Sequence, residues 1–150
     1  RHKALDLFFK ANAINQDVFE VNFQTGRLLM ELSQPESGKK FLKRAAALEP
    51  NSGAVFRYLG ECYTEVNHPD AAIAAYKKAI KYNPSDAASL SAMGCLFAEQ
   101  EERLRNWMLG RHLEPAGAAV YAYYNDPFTP GFLRRNEIII PITAGPSTLR

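Results

Sequence analysis

Residues 53–84 read GAVFRYLGECYTEVNHPDAAIAAYKKAIKYNP, and the fold turns on how their apolar positions are spaced. Phe56, Leu59, Gly60 and Tyr63 come first, then Ala72, Tyr76 and Ala79, in steps of three or four residues broken at Asn67, His68 and Pro69. Steps of that size place side chains on one face of an α-helix, so the stretch predicts two amphipathic helices joined by a tight turn. Asn67 suits the left-handed position that ends a helix, Pro69 suits the first turn of the next, and Pro84 cannot continue one. Gly60 allows the second helix to approach at Ala72, and Ala79 does the same for the following unit. Phe56, Leu59, Tyr63 and Tyr76 fill the space around those close contacts.

The same columns recur 34 residues away on both sides. Gly26, Gly60 and Gly94 form one column, Pro50 and Pro84 a second, Ala45 and Ala79 a third, and Leu29, Tyr63 and Phe97 a fourth. Independent columns sharing one such period are the signature of a repeat array. The unit at 19–50 keeps Gly26, Leu29, Leu42, Ala45 and Pro50, but carries Asn22 in an aromatic column and Gly38 in an alanine column. Ala4, Phe8 and Ala11 have the spacing of Ala72, Tyr76 and Ala79, so residues 3–15 read as the second helix of a partial repeat and the chain as starting mid-array. Leu5, Phe8 and Phe9 are then expected as exposed apolar surface, which favours self-association. Residues 87–115 open with Leu90, Met93, Gly94 and Phe97, after which the register is lost. Residues 86–113 read either as two helices with a shortened turn or as one long helix, in the role of a cap. At 84–86, Ser85 or Asp86 is placed to cap it.

These columns resemble the tetratricopeptide repeat family, whose pattern is a helix-turn-helix with the same small, aromatic and proline positions. The resemblance implies an all-α fold, a right-handed solenoid of helical hairpins occupying residues 1–115, with a divergent C-terminal helix and tail. Five of the nine prolines lie from residue 115 onward, so residues 116–150 read as a divergent cap or flexible tail. Turns are expected at 125–127 and 129–131. Residues 137–143 have the β-branched content of a strand, but Pro141 interrupts it and no second strand is evident to pair with it.

Eighteen Lys+Arg against sixteen Asp+Glu leave a net charge of +2, too weak a field to draw the chain to nucleic acid. A hydrophobic share of 47% is that of a folded domain rather than a disordered chain. No apolar run approaches the roughly 18 residues that a membrane-spanning helix needs, so no membrane partner is expected. Two cysteines, Cys62 and Cys95, make no disulfide framework, and residues 1–10 lack the features of a signal peptide, which points to the cytoplasm. Both cysteines are expected as buried or half-buried small hydrophobes. His2, His68 and His112 are scattered and form no metal motif, and the glycines fall at the repeat period rather than in a phosphate loop. The expectation is therefore a non-enzyme with no cofactor and no metal.

What the resemblance implies instead is a concave face, lined by the first helix of each unit, that holds a protein or peptide partner. Following the helical period, its lining residues are Glu20, Phe23, Arg27 and Met30 in one unit. Ala54, Arg57, Tyr58, Glu61 and Thr64 follow in the next, then Ser91, Cys95 and Ala98. Arg27 and Arg57 offer bidentate bonds to a carboxylate, Phe23 and Tyr58 flat apolar contact, and Glu61 a charge that orients the ligand. Family members that grip a C-terminal carboxylate use Lys, Asn and Arg; the matching places here hold Phe23, Arg27, Tyr58, Ala88 and Ala92, so that clamp is missing. The expected function is a protein-protein interaction scaffold. The alternatives are a substrate-presenting arm of a larger enzyme and a structural oligomerisation module. Lys39, Lys40, Lys43 and Arg44 recur in Lys77, Lys78 and Lys81 on equivalent second helices, as a solvated outer face or a basic stripe for an acidic partner.

Overall fold

The computed structural model describes residues 1–114, 116–123 and 136–142. Six helices follow one another: α1 (His2–Ile14), α2 (Phe19–Glu31), α3 (Pro35–Leu48), α4 (Gly53–Glu65), α5 (Pro69–Tyr82) and α6 (Ala87–Leu109). Each repeat's inner turn is built alike. Ser33 and Asn67 adopt φ of 56° and 57°. The next N–H then reaches back to cap the finished helix, from Gln34 to the Leu29 carbonyl at 2.9 Å and from His68 to the Tyr63 carbonyl at 2.8 Å. Pro35 and Pro69 then open α3 and α5, where a missing N–H costs nothing.

The chain divides into two compact units, residues 1–94 and 95–150, and α6 is continuous across the boundary. In the first unit α2 packs on α1 and α3, and α4 packs on α3 and α5. This is the expected all-α array of helical hairpins. Leu42 and Ala45 of α3, Val55, Phe56, Leu59 and Cys62 of α4, and Ala75 and Ala79 of α5 form its central cluster. Close approach follows the glycines. The ring of Tyr76 lies nearest to Gly60, and the side chain of Leu42 nearest to Gly26. Gly38 faces the Gly26 carbonyl, which explains a glycine where the column calls for alanine.

Asn22, in the column of Phe56, is fully buried. Its Nδ2 donates to the carbonyls of Gln16 at 2.7 Å and Val18 at 2.8 Å, so a polar side chain ties the α1–α2 connection to α2. Leu5, expected on the surface, is buried and Phe8 half-buried, whereas Phe9 is exposed as expected, although its ring meets Phe41 of α3 with centroids 5.8 Å apart; Leu7 and Ile14 are exposed too.

The last helix settles the choice between two helices and one: α6 runs 23 residues without a break. Leu90, in the column of the buried Phe56, is 46% exposed, and nothing lies within 4 Å of a Cβ placed on Gly94. In the second unit, Met108 is buried and Trp107 exposed beneath the Arg111 guanidinium, 4.5 Å from its ring centroid. The strand expected near 137–143 does have a partner. β1 (Val120–Tyr123) pairs antiparallel with β2 (Asn136–Ile139), Val120 opposite Ile139, so the apolar run after residue 115 supplies the strand that was not evident. The Ala116 N–H extends the contact to the Pro141 carbonyl at 2.7 Å. The turns expected at 125–127 and 129–131 lie outside the described residues. Among those residues, no helix is long and apolar enough to cross a membrane.

Candidate functional site

The 3.6-residue period turns Phe23 and Arg27 of α2 to one face, and Arg57, Glu61 and Thr64 of α4 to another that adjoins it through Tyr58. Phe23 and Tyr58 join the two helices edge to face, centroids 5.7 Å apart, and Phe19 stacks on Phe23 at 5.8 Å. All three rings rest against the core cluster while remaining partly exposed, so their positions are fixed by packing. Arg27, one turn beyond Phe23, is exposed and makes no ion pair among the described residues. Glu20 is exposed and accepts from Gln24 Nε2 at 2.6 Å.

The other residues expected there are placed in three ways. Met30 turns inward: its Sδ lies 2.9 Å from Cys62 Sγ, and it packs against the core cluster as a joint between α2 and α4. Arg57 is occupied within the chain. Its guanidinium lies 4.5 Å from the Tyr58 ring centroid, Nη1 is 3.1 Å from Glu61 Oε1, and Nε is 3.6 Å from Asp86 Oδ2. The expectation that it waits for an incoming carboxylate is corrected accordingly, because two carboxylates of the chain already face it. Thr64 is exposed and donates its hydroxyl to the Gly60 carbonyl at 3.0 Å. Ala54 and Ser91 are exposed in the same compact unit; Cys95 and Ala98, also exposed, belong to the second.

Asp86 is the residue that sequence reasoning placed only as a cap. Its Oδ2 accepts from Ser89 Oγ at 2.8 Å and its Oδ1 faces the Ser89 N–H at 3.4 Å, at the start of α6. The capping pattern at 84–86 signalled the first role, but nothing in it pointed to Arg57 on a different helix. Phe19 was missed as well, although its i, i+4 spacing to Phe23 is the usual signal for stacked helical side chains.

Burial holds the Glu61 carboxyl above the usual carboxylate range. Arg57 pulls it down, while the neighbouring charges of Glu65 and Asp86 add to the upward push. Burial also pushes the Cys62 thiol up to about 12, with Glu65 and Glu61 contributing, so it stays protonated and unreactive at neutral pH. Among the described residues no group of three or more His, Cys, Asp or Glu side chains is placed to hold a metal ion. What the arrangement offers is contact: a preset aromatic pair, an unpaired guanidinium beside it, and a half-buried ion pair.

Against known proteins, a family model described as tetratricopeptide repeat matches residues 29–94. No curated protein matches the sequence. Among solved structures, MamA is 22% identical with a TM-score of 0.64, over 66% of this chain and 58% of that one. The first TPR of Spaghetti (RPAP3), bound to the HSP90 peptide SRMEEVD, is 11% identical with a TM-score of 0.64, over 67% and 79% of the two chains. YrrB, a TPR protein with an unusual peptide-binding site, is 22% identical with a TM-score of 0.57, over 61% and 47%. The chain thus spans a little over half the length of MamA, and at these identities the likeness is one of fold.

Proposed function

We propose that this chain, whose residues 29–94 match the tetratricopeptide-repeat model, is a non-catalytic scaffold that binds a peptide or helix of a protein partner across α2 and α4. The observation that carries this reading is the Phe23–Tyr58 pair, held edge to face by the core and flanked by the exposed Arg27. Side chains already fixed in place lose little freedom on association, and aromatic and arginine residues are the usual anchors of protein contacts. Glu20, Thr64 and Ser91 supply the polar surroundings, with the Arg57–Glu61 pair as a fixed charge pattern beside them. The HSP90 peptide bound to the RPAP3 repeat and the peptide-binding site of YrrB lend the reading support by shared fold.

The test is capture of partners from a lysate by the wild type and by the double variant Arg27→Glu, Thr64→Arg. Both positions are exposed, so the variant should be as helical as the wild type by circular dichroism. Arg57 is left alone, because replacing it would release Asp86 and Glu61. A partner retained by the wild type and lost by the variant is the expected result; equal recovery by both rejects the assignment to α2 and α4.

A further inference from the structure

A second surface lies on the far side of α4. Phe56, Leu59 and Tyr63 form the floor of a groove of about 230 Å³, and Ala71, Ala74 and Ala75 of α5 form its wall. By the helical period these floor residues point well away from Arg57, Glu61 and Thr64. Three alanines on one stretch of α5 keep the groove open, since any longer side chain there would fill it. Its size falls below the ~300 to 1,000 Å³ of small-molecule pockets and suits a single apolar side chain.

Lysines surround this apolar floor. Lys78 lines the groove with Nζ 5.0 Å from the Phe56 ring centroid. Lys39 and Lys43 of α3 each bring Nζ to 5.9 Å from the Tyr63 centroid. Beyond Phe56, Tyr82 stacks on it at 5.9 Å and carries Lys81 at 5.6 Å. Lys39 is paired with Glu36 at 2.7 Å. Lys43, Lys78 and Lys81 have no ion pair among the described residues. In a chain whose net charge is only +2, this is a local concentration of positive charge around an apolar slot.

We propose that this groove docks an acidic segment of a protein partner, one apolar side chain entering between α4 and α5 while its carboxylates meet Lys43, Lys78 and Lys81. Apolar burial supplies the anchor, and the lysines supply orientation and attraction at a distance. This surface is separate from the α2–α4 face, so the two readings stand or fall independently.

The probe is a dye-labelled peptide of about three helical turns, with glutamates around a leucine-phenylalanine pair, titrated into the full chain by fluorescence anisotropy. Saturable binding that weakens with salt is expected. The double variant Lys43→Glu, Lys78→Glu should weaken it by about tenfold or more. Ala74→Glu, at an exposed position in the wall, should do the same without altering helicity, and Arg27→Glu should leave binding unchanged. Absence of saturable binding overturns the proposal. So does binding that survives both groove variants, or that is lost only with Arg27→Glu. A thymidine oligonucleotide that binds more tightly than the peptide, and loses binding in the same variants, overturns it in favour of nucleic acid. Dissociation of a dimer by those variants in sedimentation overturns it in favour of a second copy of the chain.

Discussion

A Cβ built on Gly60 would lie 2.5 Å from Cε1 of Tyr76, and one built on Gly26 would lie 2.6 Å from Cγ of Leu42. On Gly94 it would meet nothing within 4 Å. One column of the repeat therefore imposes two opposite demands. Gly60→Ala should force the buried Tyr76 ring aside and destabilise the protein by ~1–3 kcal/mol, whereas Gly94→Ala should stabilise it by ~0.5–1 kcal/mol, because an open helical glycine only adds chain entropy. Urea denaturation of the two variants checks both signs. The 34-residue period made the small residues legible, but not what covers them, since that depends on the path of the second helix. Of the aligned glycines, Gly94 looks the same as Gly60 in sequence and differs only because α6 runs straight past it. Among the candidate residues, the exposure of Arg27 and the partial exposure of Phe23 and Tyr58 were legible from helical period alone. The inward turn of Met30 and the engagement of Arg57 were not, because each depends on a partner on another helix.

Between elements, the Arg57 guanidinium links Glu61 on its own helix to the aspartate that starts α6. Glu61 brings a pH dependence with it. Its carboxyl is raised above the ordinary 4.5, mainly by burial, so the folded state holds that proton more tightly than the unfolded chain does. The stabilisation is complete below the ordinary value and is lost as pH rises through the higher folded one. Stability of the wild type relative to Glu61→Gln should therefore fall across that window on going from acid toward neutral, in urea titrations run at stepped pH. A difference that rises instead would mean that Arg57 outweighs burial. Helix boundaries were readable here because proline and the turn residues punctuate them chemically. The two alternatives for α6 stayed open because no such punctuation occurs between Ala87 and Leu109. The β1–β2 ladder was hidden for a related reason: an apolar run such as 120–123 declares itself a strand only when its partner, many residues later, is known.

Across the helical array, each hairpin rests only on its neighbours, and stability is shared through those interfaces. Leu42 stands at one of them, fully buried over Gly26 and within the cluster that contains Val55, Phe56 and Leu59. Leu42→Ala should cost ~2–5 kcal/mol and lower hydrogen-exchange protection in α5 together with that in α2, because both hairpins depend on α3. Loss confined to α2 would show that the hairpins melt separately. Such arrays carry a hazard: look-alike units invite slips in which one hairpin seats in the berth of the next. Asn22 bears on this. Its buried Nδ2 donates to the carbonyls of Gln16 and Val18 and would find no such pair in the apolar berth of Phe56, where an orphaned donor costs ~1–3 kcal/mol. The least typical residue of the repeat thus serves as an address, telling otherwise interchangeable hairpins which of them comes first.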